Sequence, residues 1–198
     1  MTFESTCRCP WLDNSKPDYV KYHDEEWGVP VYDDQKLFEY LTLESAQAGL
    51  SWYTILKRRD GYREAFANFD VKKVSSFNDQ NVETLMQNTA IIRNRAKIKA
   101  AINNAHCFIE IQKKFGSFSN YMWGFVNNKT IVNAWDSIDD YPATSAESDS
   151  WCKDLKRRGF KFVGSTICYA HMQACGMVND HSKNCYKRME IIEKYQQE

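Results

Sequence analysis

Residues 37–59 read LFEYLTLESAQAGLSWYTILKRR, the clearest helical pattern in the chain. In its first half, apolar residues recur at intervals of three and four, which is the period of a helix with a buried face. Gly49 interrupts the pattern, and Ser51 is placed to cap a second helix that begins with Trp52. The stretch therefore predicts two helices joined by a short turn.

Helical spacing also dominates the rest of the chain, which has 8 Gly, 4 Pro and no clear two-residue alternation. Asp33 or Asp34 can cap the helix that carries the quoted stretch, while Asp70 and Asn78 can cap two short helices further on. A long helix is predicted from RAKIK to a glycine stop at Gly116. Together these signals predict an all-α protein.

The second half of the chain carries weaker signals. Thr144 and Glu147 have the spacing of a capping box, in front of a helix that we expect to end at Gly159. A further apolar segment, TICYAHMQAC, ends at Gly176. The loosest segment is 127–145, which has turn residues and little periodicity.

The composition is that of an ordinary globular protein, with 198 residues, 43% hydrophobic and 26% charged. No apolar run is long enough to span a membrane, and the start MTFESTCRCPW does not have the pattern of a secretory signal. The 7 cysteines cannot all pair within the chain. We therefore expect a cytoplasmic protein with reduced or metal-bound thiols and no membrane partner.

Two cysteines and two histidines near the ends of the chain are suited to bind a metal ion. Cys9 precedes His23 by fourteen residues, and His181 precedes Cys185 by four. A histidine and a cysteine four apart on a helix face the same side, and two Cys with two His complete a tetrahedral zinc site. The alternative, that each is an ordinary surface or core residue, stays open because C-x13-H is not a standard half-site.

Glu44 lies within an otherwise apolar part of the first helix. A carboxylate is costly to bury unless it has a partner or a cationic ligand, so a buried Glu44 would mark a binding site. The residues alone favour the other interpretation, an exposed glutamate at the edge of a core helix. Trp52 follows the glycine break, where the backbone comes to the surface.

Aromatic residues are concentrated near the start of the chain. Tyr19, Tyr22 and His23 fall at helical offsets of three and four, so they share a face. Trp11 and Trp27 flank them. Such a stripe is usually core packing, but beside a buried carboxylate it would form a pocket for a flat, electron-poor or cationic ring.

The net charge is zero, so any contact with nucleic acid must come from local basic patches. The clearest patch is RNRAKIK, residues 93–99, in which Arg93, Arg95 and Lys97 open a helix. Two helices joined by a short turn, with basic residues at the start of the second, suit a phosphate group. A solvated basic helix face explains the same charges equally well.

Together these segments resemble the 3-methyladenine DNA glycosylase I (Tag) family over about residues 7–186. The resemblance is carried by CRCPW, YVKYHDEEWGVP, LFEYLTLESAQAGLSWYTILKRR, IIRNRAKIKAAINNA, LKRRGFKFVGSTICYAHMQACGMVNDH and HSKNC. It implies a helix-hairpin-helix DNA glycosylase-like fold with one structural Zn²⁺ that joins the N- and C-terminal segments. The single glycosylase unit, 1–198, can be divided into a hairpin lobe, 33–126, and a terminal lobe, 1–32 with 127–198.

The same resemblance assigns roles to the candidate residues. It implies that the zinc ligands are Cys9, His23, His181 and Cys185. It places Glu44 in the base pocket as the catalytic residue, with substrate-binding residues around it: Trp52, Tyr19, Tyr22, Trp11 and Trp27. The hairpin maps to residues 85–105. The DNA-binding residues would be Arg93, Arg95 and Lys97, with Gly49 and Leu50 to fill the gap left by the flipped nucleotide.

The implied function is that of a monofunctional, monomeric glycosylase, which flips 3-methyladenine out of alkylated double-stranded DNA and excises it by hydrolysis in base excision repair. The alternative is a non-catalytic protein that binds alkylated DNA on the same scaffold. Two departures stand out. The hairpin lacks the usual Gly-x-Gly, with Ala90 and Ala96 where small residues are expected, and no aspartate after it matches the catalytic one of the wider superfamily.

Overall fold

The computed structural model describes residues 7–195; residues 1–6 and 196–198 lie outside the described range. Within it the helices are α1 (Pro17–Glu25), α2 (Asp34–Gln47), α3 (Trp52–Leu56), α4 (Arg59–Ala65), α5 (Val71–Ser75), α6 (Asp79–Gln87), α7 (Arg95–Phe115), α8 (Phe118–Trp123), α9 (Ala146–Arg157), α10 (Ser165–Ala174) and α11 (Tyr186–Tyr195). The strands are β1 (Ile131–Val132) and β2 (Val178–Asn179), and three short 3₁₀ helices span Ala67–Phe69, Gly124–Val126 and Ile138–Asp140. No helix between residues 7 and 195 is long and apolar enough to cross a membrane.

Helix α2 lies at the centre of the molecule. Its residues 37–46 are all buried, and it contacts α3, α7, α8 and α10. Asp33 caps its N-terminus by accepting a hydrogen bond from the backbone N–H of Lys36 at 2.8 Å. Asp34, the other predicted cap, accepts instead from the first two backbone N–H groups of α8. Since α2 is enclosed by other helices, a polar side chain on it must face a neighbouring helix or a cavity.

The turn after α2 agrees with the prediction. Helix α2 ends at Gln47, and Gly49 has a φ of +80°, a left-handed conformation that favours glycine. Ser51 then caps α3 by accepting from the backbone N–H of Thr54 at 3.2 Å. Leu50, in this turn, keeps 39% of its surface exposed.

Helices α6 and α7 are joined by a turn at residues 88–94. The hydroxyl of Tyr62 on α4 accepts a hydrogen bond from the backbone N–H of Ile92 at 3.2 Å. Gly61 allows the turn to approach α4 closely, because a Cβ at this position would lie 2.6 Å from the Cβ of Ala90. The turn is thus anchored on α4 although it contains no glycine of its own.

Strands β1 and β2 form a parallel pair, with Ile131 opposite Val178. The sequence did not predict this pair, whereas the helical class is confirmed for the greater part of the described chain. Just before β2, Gly176 has a φ of +73°, and a Cβ there would lie 2.4 Å from the backbone nitrogen of Pro30. The N-terminal segment therefore packs directly against the end of α10.

Two local predictions for the second half of the chain are wrong. Helix α9 is capped by Ser145, which exchanges hydrogen bonds with Ser148, and not by Thr144 with Glu147. The segment 181–185 is a turn before α11 and not part of a helix. In both places the local sequence is compatible with more than one cap or turn. Contacts with distant segments then decide which one forms.

Candidate active site and metal centre

A cavity of about 310 Å³ opens between α1, α2, α3 and α10. Its lining residues are Trp11, Tyr19, Tyr22, Trp27, Glu44, Gln47, Trp52, Ile138, Tyr141, Pro142, Ala170 and Gln173. The structure thus brings Glu44 and all five predicted aromatic residues to one cavity.

The other half of the lining was not predicted. Gln47 lies one turn after Glu44 on α2, so helical spacing from the glutamate could have identified it. Gln173 lies one turn after Ala170 on α10, where only a second known pocket residue would have drawn attention to it. The segment 138–142 belongs to the loosest part of the sequence and carries no local signal for a pocket.

Glu44 projects from α2 to this cavity with 3% of its surface exposed, so the alternative of an exposed glutamate is wrong. Burial raises the pKa of Glu44 to about 8. No basic group among residues 7–195 offsets this shift. The carboxyl group is therefore held close to ionisation at neutral pH, and a cation in the cavity would ionise it.

The aromatic side chains form a continuous wall around the cavity. Trp11 packs edge-on against Trp27, with ring centroids 4.8 Å apart, and lies 5.3 Å from Tyr19. Further along, the rings of Tyr22 and Trp52 are 5.3 Å apart. Burial raises the pKa of Tyr19 to about 12 and that of Tyr22 well above its usual value. Both phenols therefore stay neutral and keep a proton to donate.

The four predicted metal ligands meet beside this wall. Cys9, His23, His181 and Cys185 are all buried, and one donor atom from each lies within 4.8 Å of all the others. His23 Nε2 lies 3.6 Å from the Sγ of Cys185. His181 Nδ1 lies 3.4 Å and 3.5 Å from the Sγ atoms of Cys9 and Cys185. Two thiols and two imidazoles in this arrangement can hold a metal ion.

Each histidine is oriented by a hydrogen bond from the ring nitrogen that faces away from the cluster. His23 Nδ1 donates to Asp24 Oδ1 at 2.7 Å, and Arg8 forms an ion pair with the same carboxylate. His181 Nε2 donates to the backbone carbonyl oxygen of Trp27 at 2.9 Å. These bonds leave His23 Nε2 and His181 Nδ1 available as ligand atoms.

The surroundings of the two thiols favour negative charge on Cys185. Interaction between the two neighbouring thiols lowers the pKa of Cys185 and raises that of Cys9. The backbone N–H of Ser182 donates to the Cys9 sulfur, at 3.4 Å. Close by, the backbone N–H of Tyr186 donates to the carbonyl oxygen of Cys7 at 3.1 Å. The cluster therefore lies where the N-terminal and C-terminal segments already meet.

Residues 11–188 match the sequence model of the family described as methyladenine glycosylase. The chain belongs to this family. It is 47% identical over 178 residues to DNA-3-methyladenine glycosylase 1 of Escherichia coli strain K12, a match that covers 90% of this chain and 95% of that relative.

Solved structures of methyladenine glycosylases have the same helical architecture. A crystal structure of 3-methyladenine DNA glycosylase I (TAG) matches with a TM-score of 0.88 at 47% identity, and the match covers 91% of this chain and 98% of that one. TAG from Staphylococcus aureus, solved to explain its recognition of 3-methyladenine, matches with a TM-score of 0.88 at 36% identity, over 92% and 97% of the two chains.

In this methyladenine glycosylase, the residues predicted to bind DNA lie around the start of α7. Arg93 is exposed in the turn before the helix. Arg95 forms an ion pair with Glu83 of α6. Lys97 Nζ donates to two backbone carbonyl oxygens at the end of α2, at 2.8 Å and 2.6 Å. The start of α7 is therefore tied to the end of the helix that carries the buried glutamate.

Proposed function

We propose that this protein is a DNA-3-methyladenine glycosylase, which flips an alkylated adenine out of double-stranded DNA and hydrolyses its bond to the sugar. One observation carries the proposal: Glu44 is a buried carboxyl group, with no basic partner among residues 7–195, at a cavity walled by aromatic rings. Family membership supports it, because the Escherichia coli relative at 47% identity is DNA-3-methyladenine glycosylase 1. The reaction would begin base excision repair.

The chemistry of the substrate explains why this site is sufficient. Methylation at N3 gives adenine a positive charge, so the base leaves the sugar without first being protonated by an acid. The enzyme must mainly take the base out of the stack and hold it in a reactive position. Each well-placed aromatic face attracts the cationic ring by about 0.5–2 kcal/mol. Normal adenine is neutral, so the aromatic faces attract it much less strongly.

Glu44 is chiefly a recognition residue in this proposal. Its carboxylate accepts a hydrogen bond from the exocyclic amine of the base and complements the charge of the ring. Since burial raises the pKa of Glu44 to about 8, a cationic base that enters the cavity shifts the carboxyl group to its ionised form. A water molecule activated by the same carboxylate would complete the hydrolysis.

A base-release assay on methylated duplex DNA tests the proposal. The wild type should release free 3-methyladenine, and Glu44→Gln should lose about 10²-fold or more in rate, together with selectivity for methylated over normal adenine. Glu64→Gln, which changes an exposed glutamate on α4, is the matched control and should behave as the wild type. If Glu44→Gln kept its turnover and selectivity, the role given to Glu44 would be wrong.

The same assay separates the enzyme from a non-catalytic protein that binds alkylated DNA. Such a protein would retain methylated duplex DNA in a binding assay and release no free base. The intact glutamate and aromatic wall favour the enzyme, because they line a cavity suited to one base and not an open surface for a duplex.

We also propose that the metal is one structural Zn²⁺ per chain. Zinc–sulfur and zinc–nitrogen bonds of about 2.3 Å and 2.05 Å at a tetrahedral angle put sulfur and nitrogen about 3.6 Å apart. Three of the four sulfur–nitrogen distances in the cluster are 3.4, 3.5 and 3.6 Å, so the side chains fit this ion. Four protein ligands leave no position for a water molecule, so replacing the metal should not change the rate of hydrolysis.

On the DNA side, we propose that Gly49 and Leu50 fill the gap left by the flipped nucleotide, since Leu50 is exposed in the turn that follows the pocket helix. The helix-hairpin-helix, residues 85–105, would bind phosphate through Arg93, Arg95 and Lys97. Arg95 would exchange its exposed ion pair with Glu83, which contributes little, for a phosphate. DNA affinity should accordingly fall with salt.

The cavity also supports a division of the chain into two lobes. Glu44 and Trp52 come from the proposed hairpin lobe, 33–126, whereas Trp11 and Tyr141 come from the proposed terminal lobe, 1–32 with 127–198. We propose that the two lobes form one unit with the pocket between them, active as a monomer in the cytoplasm on genomic DNA. The outermost residues of the terminal lobe lie outside the described range.

A further inference from the structure

Asp180 is a buried carboxylate that the metal cluster does not use, although it precedes the ligand His181 in the chain. None of its surface is exposed, with a relative accessibility of 0%. It accepts four hydrogen bonds, from Asn133 Nδ2 at 2.6 Å, Tyr169 OH at 2.7 Å, Gln173 Nε2 at 2.8 Å and Trp135 Nε1 at 2.9 Å. A carboxylate has about four acceptor positions, so these donors satisfy it. Among them, Gln173 is the one that also lines the pocket.

The contact with Asp180 determines how the amide group of Gln173 is oriented. A carboxylate accepts hydrogen bonds and donates none, so Gln173 must turn its NH₂ group toward it. The opposite orientation would place a carbonyl oxygen 2.8 Å from a carboxylate oxygen, which electrostatic repulsion disfavours. The amide oxygen, Oε1, is then the polar atom of Gln173 that remains for the cavity.

We propose that Gln173 is a second base-recognition residue and that Asp180 is the positioning residue that orients it. The inference rests on the proposed function. The exocyclic amine of adenine has two N–H donors, and Glu44 and Gln173 supply two acceptors to one cavity. Guanine has an oxygen acceptor in place of this amine, and two acceptors of the protein would face it unfavourably. Gln173 thereby adds to the selection of adenine over guanine.

Asp180 also contacts the chain just before another part of the pocket wall. Asn133 and Trp135, two of its donors, precede the segment 138–142, and the rings of Trp135 and Tyr141 have centroids 6.3 Å apart. One carboxylate therefore contacts both the residue that carries the proposed acceptor and the residues that lead into another part of the wall. The test must separate the loss of the acceptor from a general loosening of this wall.

The first variant removes the Oε1 acceptor, together with the N–H that Gln173 donates to Asp180. Methionine has nearly the length of glutamine and no amide oxygen, so Gln173→Met should slow single-turnover release of 3-methyladenine from duplex DNA about tenfold. Its affinity for free 3-methyladenine, measured through the fluorescence of the pocket tryptophans, should weaken in parallel. Its melting temperature should fall no further than that of Tyr169→Phe, which also loses one donor to Asp180, and its metal content should match that of the wild type. Release and binding at wild-type levels would overturn the role of Gln173.

Tyr169→Phe is the matched control, because it removes a donor to Asp180 from a residue that does not line the pocket. If Asp180 matters through Gln173, this variant should lose less than about threefold in release. A loss as large as that of Gln173→Met would mean that any damage around Asp180 has the same effect, which would also overturn the inference.

The second variant tests Asp180 itself. The new amide in Asp180→Asn can donate to Gln173 Oε1, which turns that oxygen out of the cavity, so the variant should lose release to the same extent as Gln173→Met. The double variant should lose no more than Gln173→Met alone. Losses that multiply would show that Asp180 acts independently of Gln173. Metal content is measured in each variant because His181 is the next residue.

These outcomes also differ from failure of the proposed function. A wild-type protein that releases no base from methylated DNA would overturn the glycosylase activity. A wild type that releases base as fast as Gln173→Met does would overturn only the inference on Gln173. If Asp180→Asn fails to fold, the comparison of Gln173→Met with Tyr169→Phe still decides whether Gln173 recognises the base.

Discussion

Glu44 shows how burial sets the pH range over which a single side chain ionises. Its pKa is raised to about 8, and only the ionised form attracts a cationic base. The kcat/KM for release of 3-methyladenine should therefore increase with pH and level off above pH 8. The measurement is a pH–rate profile on methylated duplex DNA, in which Glu44→Gln should flatten the rise. A flat wild-type profile would contradict the role of ionisation.

The raised pKa of Glu44 also makes the folded protein less stable at high pH, where catalysis is expected to be fastest. A pKa raised above its usual value of 4.5 means that the folded state prefers protonated Glu44, so this stabilisation is full below pH 4.5 and is lost as the pH rises through 8. Glu44→Gln should therefore melt at a higher temperature than the wild type in alkaline buffer, with a smaller difference in acid. Calorimetry at the two pH values checks this. An equal difference at both would argue against a buried ionisation.

His171 on α10 is a second buried ionisable side chain with a clear consequence. Neither ring nitrogen has a hydrogen-bond partner among the described residues, and the ring packs against Tyr40 and Trp151, with centroids 6.4 Å and 5.2 Å away. Burial lowers the pKa of His171 to about 3 from the usual 6.5. Its neutral form therefore stabilises the fold above pH 6.5, and this contribution is lost progressively between pH 6.5 and 3.

Replacing this ring by an apolar one should protect the protein in acid. His171→Phe should have a larger free energy of unfolding than the wild type near pH 4, by roughly 2 kcal/mol, and a smaller advantage at neutral pH. Urea unfolding at both pH values measures the difference. The control is His106→Phe, at an exposed position on α7. If acid destabilised both variants equally, His171 would not be the group that titrates.

At the scale of helices, Lys97 joins two elements that the proposed function needs together. Its ammonium group donates to the carbonyl oxygens of Ala46 and Ala48, at the end of α2, while its backbone N–H is capped by Asn94 at the start of α7. Burial lowers the pKa of Lys97. The structure therefore shows it as a cap for the negative end of α2, next to the turn that contains Leu50.

Lys97→Met separates this capping role from the phosphate contact predicted from the sequence. Loss of the cap should cost about 1 kcal/mol of stability and slow excision, while the dependence of DNA affinity on salt stays unchanged. Loss of a phosphate contact should instead lower the slope of log affinity against log salt by about one. DNA binding at several salt concentrations distinguishes the two roles. Lys113→Met, at an exposed position at the far end of α7, is the control.

Local signals predicted the helices well where the deciding contacts are close in sequence. Ser51 caps α3 and Gly49 ends the helix before it, both as predicted, because these interactions lie within one turn. The prediction was wrong at Thr144, where the neighbouring Ser145 is an equally good cap. The β1–β2 pair was missed because it joins residues from two distant segments, and two-residue strands leave no alternating pattern.

For the whole molecule, the proposed metal ion in the Cys–His cluster should hold the two ends of the chain and the pocket together. Cys9 and His181 are 172 residues apart in sequence, and Trp27 connects the cluster to the cavity because its carbonyl oxygen accepts from His181 while its ring lines the wall. A link between such distant residues greatly restricts the unfolded chain. Chelation should therefore lower the melting temperature by roughly 10 °C and weaken binding of free 3-methyladenine.

Calorimetry and tryptophan fluorescence, before and after chelation, check this expectation. Addition of Zn²⁺ should restore both properties in the wild type. In Cys9→Ser the chelator should have little further effect, because one ligand is already absent. Complete removal of the metal without a change in either property would show that the cluster does not support the pocket.

The candidate site could be predicted only where residues were chemically distinctive. Glu44 and the four Cys and His residues stand out in a sequence by type and surroundings. Gln173 does not, because glutamines are common on helix surfaces, and its role depends on Asp180 and on the wall at Tyr141. Those relations arise from tertiary packing, which no local pattern in α10 records.

The meeting of the two chain ends has a mechanical consequence. Tyr186 is hydrogen-bonded to Cys7, and the four candidate metal ligands beside them come from the same two segments. With the proposed metal bound, a force that pulls residues 7 and 186 apart would load this hydrogen bond and the metal–ligand bonds, while the helices between them carry no tension. Once those bonds broke, the tension would reach all the intervening chain at once. The force needed to unfold the protein from these two points would therefore be set by the contacts between its terminal segments.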